Sequence, residues 1–396
     1  MSGTILHRGV INFARIFYVP YLKLRFNYKY EKVNYKKGNF IAMANHTNIL
    51  DSMILGVPFR QHMYFVAGEQ LFRMGFVSWL LVTFLKPIKR MKAKTEARTA
   101  IDMLRTLKEG HNVFVFPEGS STWNGETSNI IQSTAKLVKR ANVALITYKI
   151  DGGHPSMPRW SRSHRRGKII GTVGHIYEPE ELENMSVEEI YEAIVKDLYV
   201  NSEDICKKVK FKGKNLAEYL ETALFLCPKC ESLASYTSKK DNFTCKVCGM
   251  DLKYTENCTL ESRSQEPFPF KTVLQWDNWQ RKWVEENVDK YKEDTNLEIC
   301  KDDEQILYTY EGEDKNKLLL KGSMTLYGDR LVFKDKESKE EILIYLKDMT
   351  DIAIITRTTL TFSCSDQHYE VRTPIPRSAL KYLIFIINLA KMRYII

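Results

Sequence analysis

The sequence has no apolar run long enough to cross a bilayer. Within Leu71–Leu85 the longest such run is Phe76–Leu85, well short of the roughly 18 to 20 residues a spanning helix needs, which argues against a transmembrane protein. The N-terminus lacks the order of basic, apolar and small residues that leads to a secretory cleavage site, and this places the chain inside the cell. Acidic residues are in deficit, 49 against 59 lysines and arginines, giving a net charge of +10. That balance favours an anionic partner, whether a membrane surface, a phosphorylated substrate or nucleic acid, without choosing among them. Core formers are not scarce. An apolar content of 44% in 396 residues excludes a disordered chain and suffices for two or three domains.

Seven residues organise the first half. Asn45-His46-Thr47-Asn48-Ile49-Leu50-Asp51 follow the apolar run Phe40–Ala44, which reads as a buried strand emptying into a turn. A histidine just past a rigid strand is fixed in place yet open to a cleft, as a catalytic base must be. If a helix begins within the turn, Asp51 can fold back on one ring nitrogen of His46. That contact would fix the tautomer, leave the other nitrogen to take a proton and stabilise the imidazolium. For the pair in isolation the plainer reading is a capping carboxylate beside a structural histidine.

A second stretch changes the balance. Asn112–Phe116 reads as another buried strand, ending in the polar turn Pro117-Glu118-Gly119-Ser120-Ser121-Thr122. The order NHxxxxD and then strand-FPEG resembles the glycerolipid acyltransferase family, the lysophosphatidate or PlsC-like acyltransferases. The resemblance covers roughly the first half of the chain. It implies that His46 draws the proton from an acceptor hydroxyl, which then attacks the thioester of an acyl-CoA or acyl-carrier-protein donor, with Asp51 orienting the base. It implies a lysophospholipid acceptor, 1-acylglycerol-3-phosphate, giving phosphatidic acid in phospholipid biosynthesis. Arg90 matches by order and spacing the arginine that helps hold the acceptor phosphate, and Glu118 and Gly119 match residues that orient the acceptor glycerol. Two departures stand out. Ser121 occupies a position where relatives carry arginine, and Thr147 one where proline is common. The basic cluster Arg159, Arg162, Arg165, Arg166 and Lys168 could supply the missing charge, or could be a solvated or membrane-facing loop. Glycine-flanked His154 reads as a loop residue.

The elements around these motifs alternate. Strands are expected at 39–44, 63–67, 112–116, 143–150 and 168–176, and helices at 50–57, 69–85, 95–109 and 128–140. This pattern specifies an α/β layer structure with a mostly parallel sheet flanked by helices, whose sites gather at strand C-terminal ends. Ser186-Val187-Glu188-Glu189 marks a capped helix start in the helical return that follows. In residues 1–30 aromatic and aliphatic side chains interleave with Arg8, Arg15, Lys23, Arg25 and Lys29. That suits amphipathic membrane-associating helices lying in a lipid interface, broken in two at Pro20, and it equally suits helices packed on the protein's own core.

Beyond the acyltransferase region of 31–215 the chain changes character. Cys227-Pro228-Lys229-Cys230 and Cys245-Lys246-Val247-Cys248 form two CxxC knuckles separated by fourteen residues, the spacing of a four-cysteine zinc ribbon over 222–260, with a disulfide or redox pair as the alternative that an intracellular placement disfavours. Four thiolates leave no open position, so the zinc would be structural. A ribbon this small has too little apolar core to fold without it. Cys206, Cys258, Cys300 and Cys364 lack ligand spacing and read as core or incidental thiols. Residues 261–300 read as a helical linker with Trp276, Trp279 and Trp283 on one face. Residues 301–396 show seven short strands, from Gln305–Tyr310 to Tyr369–Arg372, and a closing helix from Ser378. Many strands and one terminal helix look like an α+β pleckstrin-homology or GRAM-type module.

The reading is thus a peripheral enzyme on the cytoplasmic side of the membrane. Acyl transfer to another hydroxyl acceptor and a non-catalytic membrane scaffold are the alternatives. A zinc-ribbon nucleic-acid binder is a third, disfavoured by acidic residues near the ribbon lysines and by the absence of an aromatic-basic repeat.

Overall fold

A computed structural model of the chain describes residues 2–68, 82–83, 86–90, 96–311, 315–365 and 367–391. It divides into two compact units. One comprises the chain up to Arg159 with His164–Gly213, the other Trp160–Ser163 with the chain from Lys214 onward.

The first unit is built on a seven-stranded sheet of β1 (Lys29–Tyr30), β2 (Phe40–Ala44), β3 (Met63–Gly68), β4 (Ile88–Arg90), β5 (Asn112–Val115), β6 (Ala144–Asp151) and β7 (Ile170–Tyr177), in the order β1-β7-β6-β2-β5-β3-β4. All neighbours are parallel except β6 and β7. The short strands β1 and β4 had no signal of their own in the sequence, and the helix expected at 69–85 lies largely outside the described residues. β2 is the middle strand, with Ile41 opposite both Val113 and Leu145. Because side chains alternate along a strand, its five buried residues serve two cores. Phe40, Ala42 and Ala44 pack on one face with Phe114, Ile146, Leu22, Phe26 and Ile54. Ile41 and Met43 pack on the other with helices Glu96–Lys108, Ser133–Ala141 and Val187–Leu198. The last of these starts on Ser186, which accepts from Glu189 N while the Glu189 carboxylate accepts from Ser186 N, the reciprocal cap that its sequence announced.

The N-terminal segment corrects an expectation. It is one helix, Ser2–Phe26, running through Pro20. Proline removes one N–H and crowds one carbonyl, which breaks a helix only when nothing else holds the two halves in line. Here both sides are anchored. Arg15 donates to Val57 O at 2.7 Å and Phe59 O at 3.2 Å, and Leu22 and Phe26 are buried. No described helix is long and apolar enough to cross a membrane.

The second unit holds two antiparallel sheets. The smaller has the order β11-β10-β9-β8, from β8 (Tyr236–Lys239), β9 (Asn242–Cys245), β10 (Asp251–Tyr254) and β11 (Leu260–Ser262). Helix Val273–Asn287 belongs to this unit, and it does not behave as a free linker. Trp276 is fully buried among Tyr236, Phe243 and Phe268 and donates to Leu226 O at 2.9 Å. Trp279 and Trp283 are half-buried. The larger sheet has the order β15-β14-β13-β12-β18-β17-β16. Its strands are β12 (Cys300–Glu311), β13 (Lys315–Leu326), β14 (Arg330–Asp335), β15 (Glu341–Tyr345), β16 (Met349–Ile355), β17 (Thr359–Cys364) and β18 (Gln367–Arg372), followed by helix Ala379–Ala390. Nearly the whole of that helix is buried.

Candidate active site

β2, β3, β4, β5 and β6 are mutually parallel, so their C-terminal ends, and the loops that leave them, share one edge of the sheet. His46 leaves β2 at that edge and Asp51 opens the short helix Asp51–Leu55. His46 Nδ1 lies 2.8 Å from Asp51 Oδ2. The same carboxylate accepts from Thr47 N at 2.5 Å and Asn48 N at 2.9 Å, and its Oδ1 from Thr47 Oγ1 at 2.7 Å. Four donors converge on a side chain with no solvent exposure, which compensates the burial of its charge. An acceptor at Nδ1 makes that nitrogen the N–H, so Nε2 carries the lone pair. The ring is stacked on Phe116 at 4.1 Å between centroids and keeps about a fifth of its side chain exposed, 22%. The imidazole is therefore held by a carboxylate at one nitrogen and by a ring on one face.

The turn is tied to its neighbours by contacts that the motifs' spacing did not announce. Asn45 mimics a strand pairing by donating to Ile150 O at 2.9 Å and accepting from Ile150 N at 2.7 Å. Asn48 donates to Gly153 O at 3.0 Å. A Cβ on Gly153 would stand 2.0 Å from Thr47 Oγ1, so only glycine permits this approach. Thr122 N donates to His46 O at 3.0 Å.

Glu118 and Gly119 follow β5, next to β2. Glu118 is fully buried, and its carboxyl accepts from His46 N at 2.5 Å and from Ser128 N at 2.6 Å. Burial pushes it up to about 8, against the pull of those two backbone donors. Both oxygens thus face the chain's own backbone, whereas the sequence suggested an acceptor hydroxyl. Gly119 takes φ +73°, closing the turn with its N–H on Phe116 O at 3.1 Å. Arg90 ends β4, opposite Gly68; its side chain lies outside the described residues.

The basic cluster is not a uniformly solvated loop. Arg165 is fully buried. Arg159 is half-buried, donates through Nη1 to Ser121 O at 2.9 Å, and places its guanidinium carbon 4.4 Å from the centre of the Trp123 ring. His154 is likewise no exposed loop residue. Burial, with Arg165 nearby, lowers its ring to about 3, and it lies 3.3 Å from Trp123 O. A neutral imidazole at that distance from a carbonyl donates to it.

In the second unit, Cys227, Cys230, Cys245 and Cys248 bring four Sγ atoms within 4.8 Å of one another. Cys227 and Cys248 are 3.7 Å apart, and Cys230 and Cys245 are 3.9 Å apart. Tetrahedral bonds of about 2.3 Å to a common ion would separate the sulfurs by about 3.8 Å, so the set has zinc dimensions and is too open for disulfides. Cys206, Cys258, Cys300 and Cys364 are buried.

Residues 25–151 match the family model described as Acyltransferase, and that range encloses His46, Asp51, Arg90, Glu118 and Gly119 but none of the four clustered cysteines. The matched range lies wholly within the first unit. Among curated proteins the chain is similar to the 1-acyl-sn-glycerol-3-phosphate acyltransferase of Borreliella burgdorferi. It is 24% identical over 112 residues, which cover 28% of this chain and 45% of that one. It is also similar to the chloroplastic 1-acyl-sn-glycerol-3-phosphate acyltransferase LPAT1 of Arabidopsis thaliana, 24% identical over 137 residues, 33% of this chain and 37% of that one. The chain spans less than half the length of these relatives. Among solved structures it matches the 1-acyl-sn-glycerophosphate acyltransferase PlsC of Thermotoga maritima at 19% identity and a TM-score of 0.42, over 51% of this chain and 80% of that one.

Proposed function

We propose that the chain transfers a fatty acyl group from a thioester donor, acyl-CoA or acyl-carrier protein, to the free hydroxyl of 1-acylglycerol-3-phosphate, yielding phosphatidic acid. The observation that carries this reading is the His46–Asp51 contact of 2.8 Å, in which four donors hold the carboxylate and one ring nitrogen stays available. His46 Nε2 takes the acceptor hydroxyl proton as that oxygen attacks the thioester carbonyl. The tetrahedral intermediate then collapses with loss of the thiolate, which recovers the proton from the imidazolium. Asp51 fixes the tautomer and balances the charge formed on the ring. The thioester is already activated, so no side-chain nucleophile is required. Arg90 is assigned to the acceptor phosphate and Gly119 to the turn that orients the acceptor. Glu118 is assigned as a strut holding His46 in line, because both its oxygens are occupied by backbone N–H groups. Purified protein incubated with labelled acyl-CoA and a panel of lysolipids should yield a diacyl product that His46→Ala, still folded by circular dichroism, does not form. Undiminished turnover by the folded variant would reject the mechanism.

Two accessory roles complete the proposal. Helix Ser2–Phe26 exposes Phe13, Ile16, Phe17, Tyr21 and Leu24, positions three or four apart and hence on one face. With Lys23 and Arg25 beside them they suit a peripheral helix at an anionic lipid surface on the cytoplasmic side. The four cysteines suit a structural zinc ion, and the strand order of the larger sheet with its terminal helix suits a pleckstrin-homology or GRAM-like docking module.

A further inference from the structure

We infer that Tyr236 and Ser232 are hydrogen-bond donors to the metal-bound thiolates of the four-cysteine set, and that they govern how tightly the chain holds zinc. The inference rests on the zinc reading of that set. Tyr236 carries most of it. The residue lies on β8 directly opposite Cys245 on β9, and opposed side chains of an antiparallel pair stand on the same face of the sheet. Its ring packs against Phe243 at 4.6 Å and Trp276 at 5.7 Å between centroids. Trp276 is in turn held at 2.9 Å to the carbonyl of Leu226, the residue before Cys227. Phenol and cysteines are therefore set on one small frame.

The hydroxyl at the end of that ring is out of balance. Tyr236 is 6% exposed, and its O–H finds no hydrogen-bond partner among the described residues, a costly condition for a buried polar group. Its surroundings are sulfur. After burial itself, Cys227 does most to keep the phenol protonated, with Cys245 and Cys230 behind it. A neutral thiol accepts a hydrogen bond weakly, whereas a thiolate is a charged acceptor. The phenol is satisfied when Cys227 is a thiolate, the form in which cysteine binds metal. Ser232 stands beside a second sulfur, with Oγ 3.1 Å from Cys230 Sγ and 3.6 Å from Cys245 Sγ. Sulfurs without protons leave that hydroxyl as the donor. The need for such donors follows from charge: four thiolates around one divalent ion are net negative, and Cys227 and Cys245 have no solvent exposure. Lys229, between the first two cysteines, is about half exposed and pairs with Glu266, so solvent screens its charge. Hydroxyl donors that stabilise the thiolates strengthen the site and slow its reaction with electrophiles.

The test compares wild type with Tyr236→Phe, Ser232→Ala and Ser232→Thr, all as full chains. Zinc Kd is measured by competition with a chromophoric chelator, and the cobalt(II)-loaded forms are compared by absorption. Tyr236→Phe keeps the ring and removes only the donor. Its zinc Kd should rise roughly ten- to a hundredfold, the usual loss when an outer partner of a metal ligand is removed. The sulfur-to-cobalt charge-transfer band should move to longer wavelength, because a thiolate relieved of its hydrogen bond gives up electron density more readily. Ser232→Ala should shift both readings in the same directions, and Ser232→Thr, which keeps a hydroxyl, should recover part of the loss. Iodoacetamide should modify the zinc-loaded Phe and Ala variants faster than wild type. In either variant, a Kd within about threefold of wild type with the cobalt band in place overturns the inference, even if the melting temperature falls, since that pattern is one of packing alone. The zinc reading survives that outcome. If Tyr236→Phe does not fold, Ser232→Ala decides on the same two readings. Wild type that binds neither zinc nor cobalt removes the zinc reading and this inference together.

Discussion

At the scale of single residues, the site is held together by groups that face inward. Asp51 accepts four donors among the described residues. Asp51→Asn puts an amide where only an acceptor fits and loosens the tautomer of His46. Acyl transfer should fall by on the order of 10² to 10⁴ with acceptor KM little changed, as steady-state kinetics would register. Glu118 makes a prediction in pH. Its folded value is raised to about 8 by burial, above the roughly 4.3 of an unfolded glutamate. The folded state therefore binds the proton more tightly, and the stability this contributes is present below about pH 4.3 and lost as pH climbs through 8. Urea titrations across that window should show wild type losing stability relative to Glu118→Gln, with the difference level on either side. A flat difference throughout would mean the two backbone donors cancel the effect of burial. Gly153→Ala drives a methyl into Thr47 Oγ1 and should cost on the order of 1–3 kcal/mol, seen as a lowered melting temperature together with reduced turnover. Of these residues, the histidine and its carboxylate were legible in the sequence, because a short local spacing brings them together. Gly153, Ser128 and Thr122 were not, because their contacts join segments whose distance along the chain leaves no periodic trace.

Among the secondary-structure elements, strands buried on one or both faces announced themselves by composition. β2, β5, β6 and all seven strands of the larger antiparallel sheet lie within a few residues of where alternation and apolar runs put them. β1 and β4 are two and three residues long, too short for any pattern, and are made by pairing with strands already in place. Pro20 misled because a local rule about one N–H says nothing of Arg15 reaching across to Val57 and Phe59. The same helix keeps an outward apolar face. Replacing Phe13 and Phe17 by serine removes two rings that are each about two-thirds exposed, 64% and 65%. In vesicle co-sedimentation, partitioning onto anionic liposomes should weaken roughly ten- to a hundredfold, while turnover of a monomeric short-chain acceptor in solution should hold. Unchanged sedimentation would remove the helix from the membrane proposal.

Across the whole molecule, chemistry and stability are assigned to different stretches of chain. The residues of the proposed reaction all fall in the first unit and the four-cysteine set in the second. Purified protein should contain about one zinc per chain, released by a strong chelator or by a thiol-modifying reagent. Hydrogen exchange after release should show β8 to β11 losing protection first, since a sheet of four short strands has only a small apolar core of its own. Metal-free protein with an unchanged exchange pattern would count against zinc at this position. The fold class of the first unit could be read from alternation of strand and helix, whereas the place of Trp160–Ser163 in the second unit could not, because nothing in those four residues marks an exchange.

The pairing of Asn45 with Ile150 carries a consequence of its own. Where β2 stops, its asparagine side chain supplies the next rung, so the ladder between β2 and β6 ends one step later than the backbone does. The base is thereby suspended from a parallel seam in the middle of the sheet. The amide proton of Ile150 becomes a built-in gauge: its exchange with deuterium should be as slow as that of mid-sheet residues while the site is intact, and should quicken in any variant that loosens the histidine's mooring, before a melting curve registers a change.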